Sequence, residues 1–256
     1  GKFITPADIG LIASLGIGEI KVRRKLKVAI ASTGNEVISI GDQHTGNSLY
    51  DSNRYSLFAM LDRPDIEIIN LGILEDDPEA LLKQFKQASE YADLIISSGG
   101  VSVGDADHTK TALKQSGQVD FWKIAIKPGR PLAFGHIGDS VFFGLPGNPV
   151  AVMVTFYQFV LPALEQMLGI NNKIINPKLQ VKSTENIRKK PGRTEIVRGI
   201  LQQASDGILS IKTTGKQGSG ILSSMSLANA FIILEHDRKS VKAGETVTVQ
   251  PFVGLF

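Results

Sequence analysis

The sequence predicts an α/β domain built on a mostly parallel sheet, followed by a small β-rich domain. Three observations carry that reading. Apolar runs that read as strands alternate with helical segments from Lys27 to about Gly169. Several of those runs end in glycine-rich or polar loops, where open α/β sheets hold their ligands. After Asn171-Asn172 the pattern changes to short alternating strands, separated by turn signals such as Asp206-Gly207 and Ala243-Gly244. The chain therefore divides into a lead-in at 1–26, an α/β domain at 27–172 and a β-rich domain at 177–256, within the ordinary range of domain size.

Residues 3–20 hold short apolar pieces broken by Pro6, Gly10, Gly16 and Gly18, which read as a short helix and a connector. Lys27–Ser32 is a strand, Asp51–Leu61 a helix and Ile66–Leu74 a second strand. Asp76-Asp77-Pro78 is a capping signal that opens a helix to Ala88. Leu94–Ser98 is a buried strand that runs into Gly99 and Gly100. Thr109–Gln115 reads as helical and Val119–Ile126 as one strand. Pro131–Gly135 and Ser140–Phe143 form a hairpin around Gly138-Asp139. The segment Gly144-Leu145-Pro146-Gly147-Asn148-Pro149-Val150 reads as a strand end, a tight turn and a helix start, with the helix running to about Gly169. In the β-rich part the strands are Leu179–Val181, Thr194–Leu201, Ile208–Thr213, Ala230–Leu234 and Thr246–Pro251.

Composition narrows the function. Hydrophobic residues make up 42% and charged residues 21%, as in a soluble globular chain. A net charge of +3 is too weak a signal for nucleic acid and agrees with a small anionic ligand. The basic run from Lys21 to Lys27 reads as a solvated strand entry. There are no cysteines, which excludes disulfides, thiolate metal sites and a cysteine nucleophile and fits a reducing cytoplasm. No stretch reads as long and apolar enough to span a membrane, and no signal peptide is visible.

Four loops gather the candidate chemistry: Thr33–Glu36, Glu75–Asp77, Gly99–His108 and Leu145–Pro149. They bring carboxylates, among them Glu36, Asp76, Asp105 and Asp107, which at several strand ends suit a hard cation such as Mg²⁺. Asp51, Asp76 and Asp77 serve equally well as helix caps, and the two roles stay open. Lys123, Lys127 and Arg130 flank the Pro128-Gly129 turn, with Lys123 and Lys127 four apart and so on one strand face; these cations suit phosphate or another oxyanion. The helix start at Pro149 suits an anion too. His108 is a candidate acid/base group, although a lone loop histidine reads first as structural; the other three histidines sit in no motif.

The ordered set Ser32–Glu36, Tyr50-Asp51-Ser52-Asn53, Asp76-Asp77-Pro78, Ser97–Asp107, Lys127–Pro131 and Gly144–Pro149 resembles the molybdopterin molybdenumtransferase family, bacterial MoeA and the C-terminal domain of gephyrin. The lead-in Thr5–Gly16 and the later Pro191-Gly192-Arg193 and Gln217–Gly220 extend the resemblance over essentially the whole chain. It implies a MogA-like three-layer α/β domain and a barrel-like β domain. It implies insertion of molybdenum from molybdate into adenylylated molybdopterin (molybdopterin-AMP), with release of AMP and help from Mg²⁺ or another divalent cation. Glu36, Asp76, Asp107, Lys123 and Lys127 are then catalytic, the three carboxylates also holding metal. Gly99, Gly100, Ser102, Gly104, Arg130, Pro146, Gly147, Asn148, Pro149, Arg193 and Ser219 are substrate-binding. Asn35 and Arg130 depart from the family, which often has Asp and Lys there. The resemblance also implies a cytoplasmic homodimer, with a molybdopterin adenylyltransferase as a possible partner and no nucleic acid or membrane. Family members carry further domains ahead of this point, so the expectation is a portion with the binding cleft and an incomplete catalytic site. The alternatives are a MogA-type adenylyltransferase, against which the β-rich domain argues, and a non-enzymatic gephyrin-like scaffold, against which the carboxylates and lysines argue.

Overall fold

The computed structural model describes residues 1–100, 119–170 and 177–252. The first sheet grows from β1 (Leu26–Thr33) and β5 (Leu94–Ser98), two strands with almost no polar residue until their carboxyl ends. Val28, Ala29, Ile30, Leu94, Ile95 and Ile96 are fully buried, as the central strands of a parallel sheet covered on both faces require. β4 (Ile66–Leu74) pairs parallel with β1 on one side, and β5 pairs with it on the other. β9 (Ser140–Leu145) extends the parallel set beyond β5. β8 (Pro131–Ile137) and β6 (Val119–Lys123) close that edge antiparallel, giving the order β4-β1-β5-β9-β8-β6. The two short strands β2 (Val37–Ile38) and β3 (Leu49–Tyr50) form a separate pair.

Alternate residues of the strands feed two cores, which makes three layers. Val28, Ile30, Leu94 and Ile96 pack with Leu57 and Leu61 of α2 (Ser52–Leu61) and with the buried side of α4 (Pro149–Met167). Ala29, Ile95 and Phe142 face Leu81, Phe85 and Ala88 of α3 (Pro78–Ser89). Contrary to the expectation that no stretch could span a membrane, one helix among the described residues is long and apolar enough by length and composition alone. α4 is long enough and has a mean hydropathy of 1.3, although just over half of that stretch is buried inside the protein. Its apolar character serves a helix set between the first sheet and the β domain. A π-helical turn, Phe156–Val160, interrupts α4 just before Pro162, which has no N–H for an ordinary helical bond.

The expected single strand Val119–Ile126 is two strands in different sheets. β6 ends at Lys123, and Ile124 N donates to Arg130 O at 2.9 Å. β7 (Ile126–Lys127) then pairs parallel with the start of β11 (Thr194–Gln203). Lys123 and Lys127 therefore do not share a strand face.

The second sheet closes. β10 (Leu179–Ser183), β14 (Thr246–Pro251), β13 (Ala230–Leu234) and β11 follow one another, and β12 (Leu209–Thr213) pairs with both β10 and β11. Val181, Val197, Ile211, Ile232 and Val247 fill this small barrel. Gly199 sits where a Cβ would meet Ile211 and Ile232 side-chain carbons, each at 2.9 Å, so no larger residue fits without repacking. Phe231 of the barrel meets Phe252 edge to face, ring centres 4.7 Å apart, and reaches Tyr157 of α4 at 6.1 Å, joining the barrel to the first core.

The lead-in holds α1 (Pro6–Ser14), whose Thr5–Asp8 capping box is complete but which buries no residue. Arg24 then makes a two-pronged pair with Asp93, at 2.7 and 2.6 Å, and Asp93 also accepts from Lys27 N at 2.8 Å. The start of β1 is thereby fixed beside the start of β5. The Arg24 guanidinium, and after it the Lys27 N–H, hold the Asp93 carboxyl below its ordinary range against the opposing effect of burial. A depressed carboxyl stabilises the fold above its unfolded pKa and loses that contribution as pH falls through the folded value. Asp93→Asn should therefore cost about 1 kcal/mol near neutral pH. Urea unfolding of the two proteins should converge as pH drops below about 4, the range of an unperturbed aspartate.

Candidate active site

The carboxyl ends of β1, β4, β5 and β9 open on one cavity of about 640 Å³. Its walls are the turn after β1, Asp76 after β4, Ser98–Gly100 after β5, the start of α2, and Gly147–Pro149 after β9, with Gly220 and Leu222 reaching in from the barrel. All four loops expected from the sequence reach it, the third through its described residues Gly99 and Gly100. Ser102, Gly104 and Asp107 lie outside the described residues.

Backbone contact sets the shape of this cavity. Gly99 has φ +90°, and a Cβ there would come within 2.4 Å of the Thr33 carbonyl. Only glycine lets the turn after β5 tuck under the turn after β1. Gly99 N donates to Leu145 O at 3.1 Å, which brings the turn after β9 alongside.

The carboxylates separate into different roles. Asp77 caps α3, accepting from Ala80 N at 2.9 Å. Asp51 caps α2 through Arg54 N at 3.0 Å, takes the Ser32 hydroxyl at 2.9 Å and pairs with the Arg54 guanidinium at 2.8 Å. It also lines the cavity, so the cap and a place in the wall coexist. Asp76 caps nothing, and its Oδ1 is buried without a hydrogen-bond partner in the cavity wall. Glu36 lines the same cavity, its carboxylate folded close to Gly34. Among the described residues no group of three His, Asp or Glu side chains stands together as a metal site.

The expected cations stand elsewhere. No Lys, Arg or His is found among the described residues lining the cavity, so Lys123, Lys127, Arg130 and Arg193 are all outside that lining. Lys127 Nζ pairs with Glu195 at 3.2 Å across the β7–β11 junction. Arg193 is exposed. Pro146 is buried, while Gly147, Asn148 and Pro149 form part of the wall. Of the first donors of α4, Pro149 has no N–H, and Val150 N gives its hydrogen to Ser219 O at 3.0 Å. Ser219 thus reaches the helix start through its carbonyl, not its hydroxyl.

Sequence reasoning missed two residues here. Arg198, fully buried in β11, donates to Ser224 Oγ and Gly218 O, both at 3.0 Å, and so secures the barrel segment that carries Gly220 and Leu222. Burial pulls its guanidinium down to about 10, which leaves it charged at neutral pH. An arginine within the apolar run Ile196–Ile200 was the available signal. Asn53, the last residue of a quoted motif, donates to Ser98 Oγ at 2.8 Å and to Gly147 O at 2.7 Å.

Residues 29–166 match the family model described as "Probable molybdopterin binding domain", and residues 180–252 match "MoeA C-terminal region (domain IV)". The chain belongs to the MoeA family of molybdopterin molybdenumtransferases. The molybdopterin molybdenumtransferase of Haemophilus influenzae is 44% identical over 98% of this chain, and that of Nostoc is 32% identical over 96%. Gephyrin of Dictyostelium discoideum is 32% identical over 96% of the chain. A solved MoeA structure from Pyrococcus horikoshii covers 98% of the chain and 60% of its own, with a TM-score of 0.77 at 27% identity. This MoeA-family chain spans 62% of the Haemophilus relative's length, 57% of the Nostoc relative's and 39% of the gephyrin's. The expected MogA-like α/β domain and barrel-like β domain agree with these MoeA matches. The match to the MoeA C-terminal region also sets the chain apart from an α/β domain standing alone.

The carboxylate geometry in this MoeA-family cavity separates stability from function. Asp51→Ala leaves the nearly buried Arg54 guanidinium without its carboxylate, with Asn70 Oδ1 as its remaining acceptor, and should cost about 3 kcal/mol. Asp77→Ala loses a cap alone, about 1 kcal/mol. Asp76→Asn changes a half-buried carboxylate whose Oδ1 has no hydrogen-bond partner and should leave stability unchanged or raise it, as chemical denaturation of the three variants would show.

Proposed function

We propose that this chain supplies the molybdopterin-binding cleft of a molybdenumtransferase, which inserts molybdenum from molybdate into adenylylated molybdopterin and releases AMP. One observation supports the reading above the rest: a large cavity at the strand ends, walled by glycine turns and by Glu36 and Asp76, with no cationic side chain in its described lining. Such a site repels a phosphorylated substrate unless a cation stands between them. The unpaired Asp76 Oδ1 fits that requirement, since a hard divalent cation takes one or two carboxylates and completes its shell with water and phosphate oxygens. Glu36 and Asp76 would hold the Mg²⁺, with Asp107 as the third ligand by family resemblance. When bound, the ion supplies charge stabilisation for the departing AMP.

The chain's own residues do the rest. Gly99, Gly100 and Gly147 let backbone approach the ligand, and Asn148 and Pro149 complete that wall, with Ser102 and Gly104 beyond the described part of the same turn. Lys123, Lys127, Arg130 and Arg193 lie outside the cavity lining, so in this reading they meet the oxyanion, molybdate, at its rim. Lys127 must then exchange Glu195 for that anion. The working protein is a cytoplasmic homodimer that receives its substrate from an adenylyltransferase, and the relatives' additional length supplies the remainder of the catalytic site.

Calorimetric titration with molybdopterin-AMP tests the reading. The unaltered chain should bind more tightly with Mg²⁺ than without. Glu36→Gln and Asp76→Asn should each abolish most of that gain, about 10-fold or more in Kd. Binding indifferent to Mg²⁺ in all three proteins would count against it.

A further inference from the structure

Asn53 lies in the first turn of α2, and its side-chain amide reaches two other cavity walls. Nδ2 donates to Ser98 Oγ at the end of β5 and to Gly147 O beyond β9, a residue 94 positions away in sequence. The parallel β5–β9 pairing ends at Ser98 and Leu145, and the Gly99 N to Leu145 O bond is its last rung. Beyond that rung, among the described residues, the Asn53 amide is what ties the two glycine turns together.

The chemistry of the partners fixes which way the amide faces. The Gly147 oxygen is a carbonyl and only accepts, so nitrogen must point to it. Both amide hydrogens are then committed, and Oδ1 is left buried without a partner. α2 does not need this residue to stay in place. Asp51 caps it, Arg54 pairs with Asp51, and Leu57 and Leu61 anchor it in the core. A side chain kept only for stability would not leave an acceptor stranded; a cost tolerated at a cavity wall marks function.

We propose that Asn53 is a positioning residue for the substrate. Its amide sets the spacing of the Ser98–Gly100 and Gly147–Pro149 turns, so that both backbones meet one phosphate-bearing ligand. The inference rests on the function proposed above. It goes beyond it in naming the residue that holds the two turns in register.

Two variants test it in the whole chain. Asn53→Ala removes both bonds. Asn53→Asp keeps the shape but turns a carboxylate oxygen toward the Gly147 carbonyl. Both should weaken molybdopterin-AMP binding by about 10- to 100-fold, the scale of a misplaced binding group, while the thermal midpoint moves by no more than about 4 °C. In the ligand-free protein, hydrogen exchange should quicken in peptides covering Ser97–Gly100 and Leu145–Asn148. Unaltered Kd together with unaltered exchange overturns the proposal. So does a fall of more than about 10 °C in midpoint for both variants, which would make Asn53 a plain brace of the fold. If the unaltered protein binds no molybdopterin-AMP, the functional reading fails, and the exchange measurement alone decides whether the turns depend on Asn53.

Discussion

Glu36 and Asp76 share a cavity whose described lining holds no positive side chain to balance them. Asp76 is half-buried and Glu36 exposed, so solvent screens part of this charge, and among the described lining residues no ammonium or guanidinium offsets the rest. Two carboxylates of the neighbouring loops have partners: Asp51 has Arg54 and Ser32, and Asp77 has the first turn of α3. Asp76 Oδ1 has none. Of the cations expected at the site, Lys127 belongs to the junction with the barrel and pairs with Glu195. Under the proposed function an anionic ligand brings a cation of its own to this wall, and that cation links the fold to the proposed chemistry.

The fold places this charge by packing. β1 and β5 are buried on both faces, so apart from Lys27 at the entry of β1 their polar residues collect at the carboxyl ends: Ser32 and Thr33 on one strand, Ser97 and Ser98 on the other. The contact of Gly99 with the Thr33 carbonyl then brings the two turns together without side chains between them. The barrel contributes from the far side, with Arg198 securing the segment that carries Gly220 and Leu222. α4 joins the two parts, apolar enough to pass for a membrane span yet with just over half of that stretch buried inside the protein.

Much of this was legible in the sequence where the cause is local. β1 and β5 announce themselves because strands covered on both faces leave unbroken apolar runs, and α3 does so through a cap followed by proline. What is decided by distant partners was not legible. β7 leaves the run begun by β6 because β11, almost seventy residues later, offers it a place in the other sheet. The two-residue strands β2 and β3 are too short for any periodicity to show. Asp76 and Asp77 are neighbours before one proline, and the sequence does not say which caps the helix. Asn53 and Arg198 take their roles from groups on other elements, so only the folded chain reveals them.

The most direct test is a crystal structure of the chain with molybdopterin-AMP and Mn²⁺ in place of Mg²⁺, located by anomalous scattering. The account predicts one manganese peak between the Glu36 and Asp76 carboxylates, with the substrate phosphates against the Gly99–Gly100 and Gly147–Asn148 turns. Phosphates seated on Lys127 and Arg130, with no metal peak in the cavity, would contradict it.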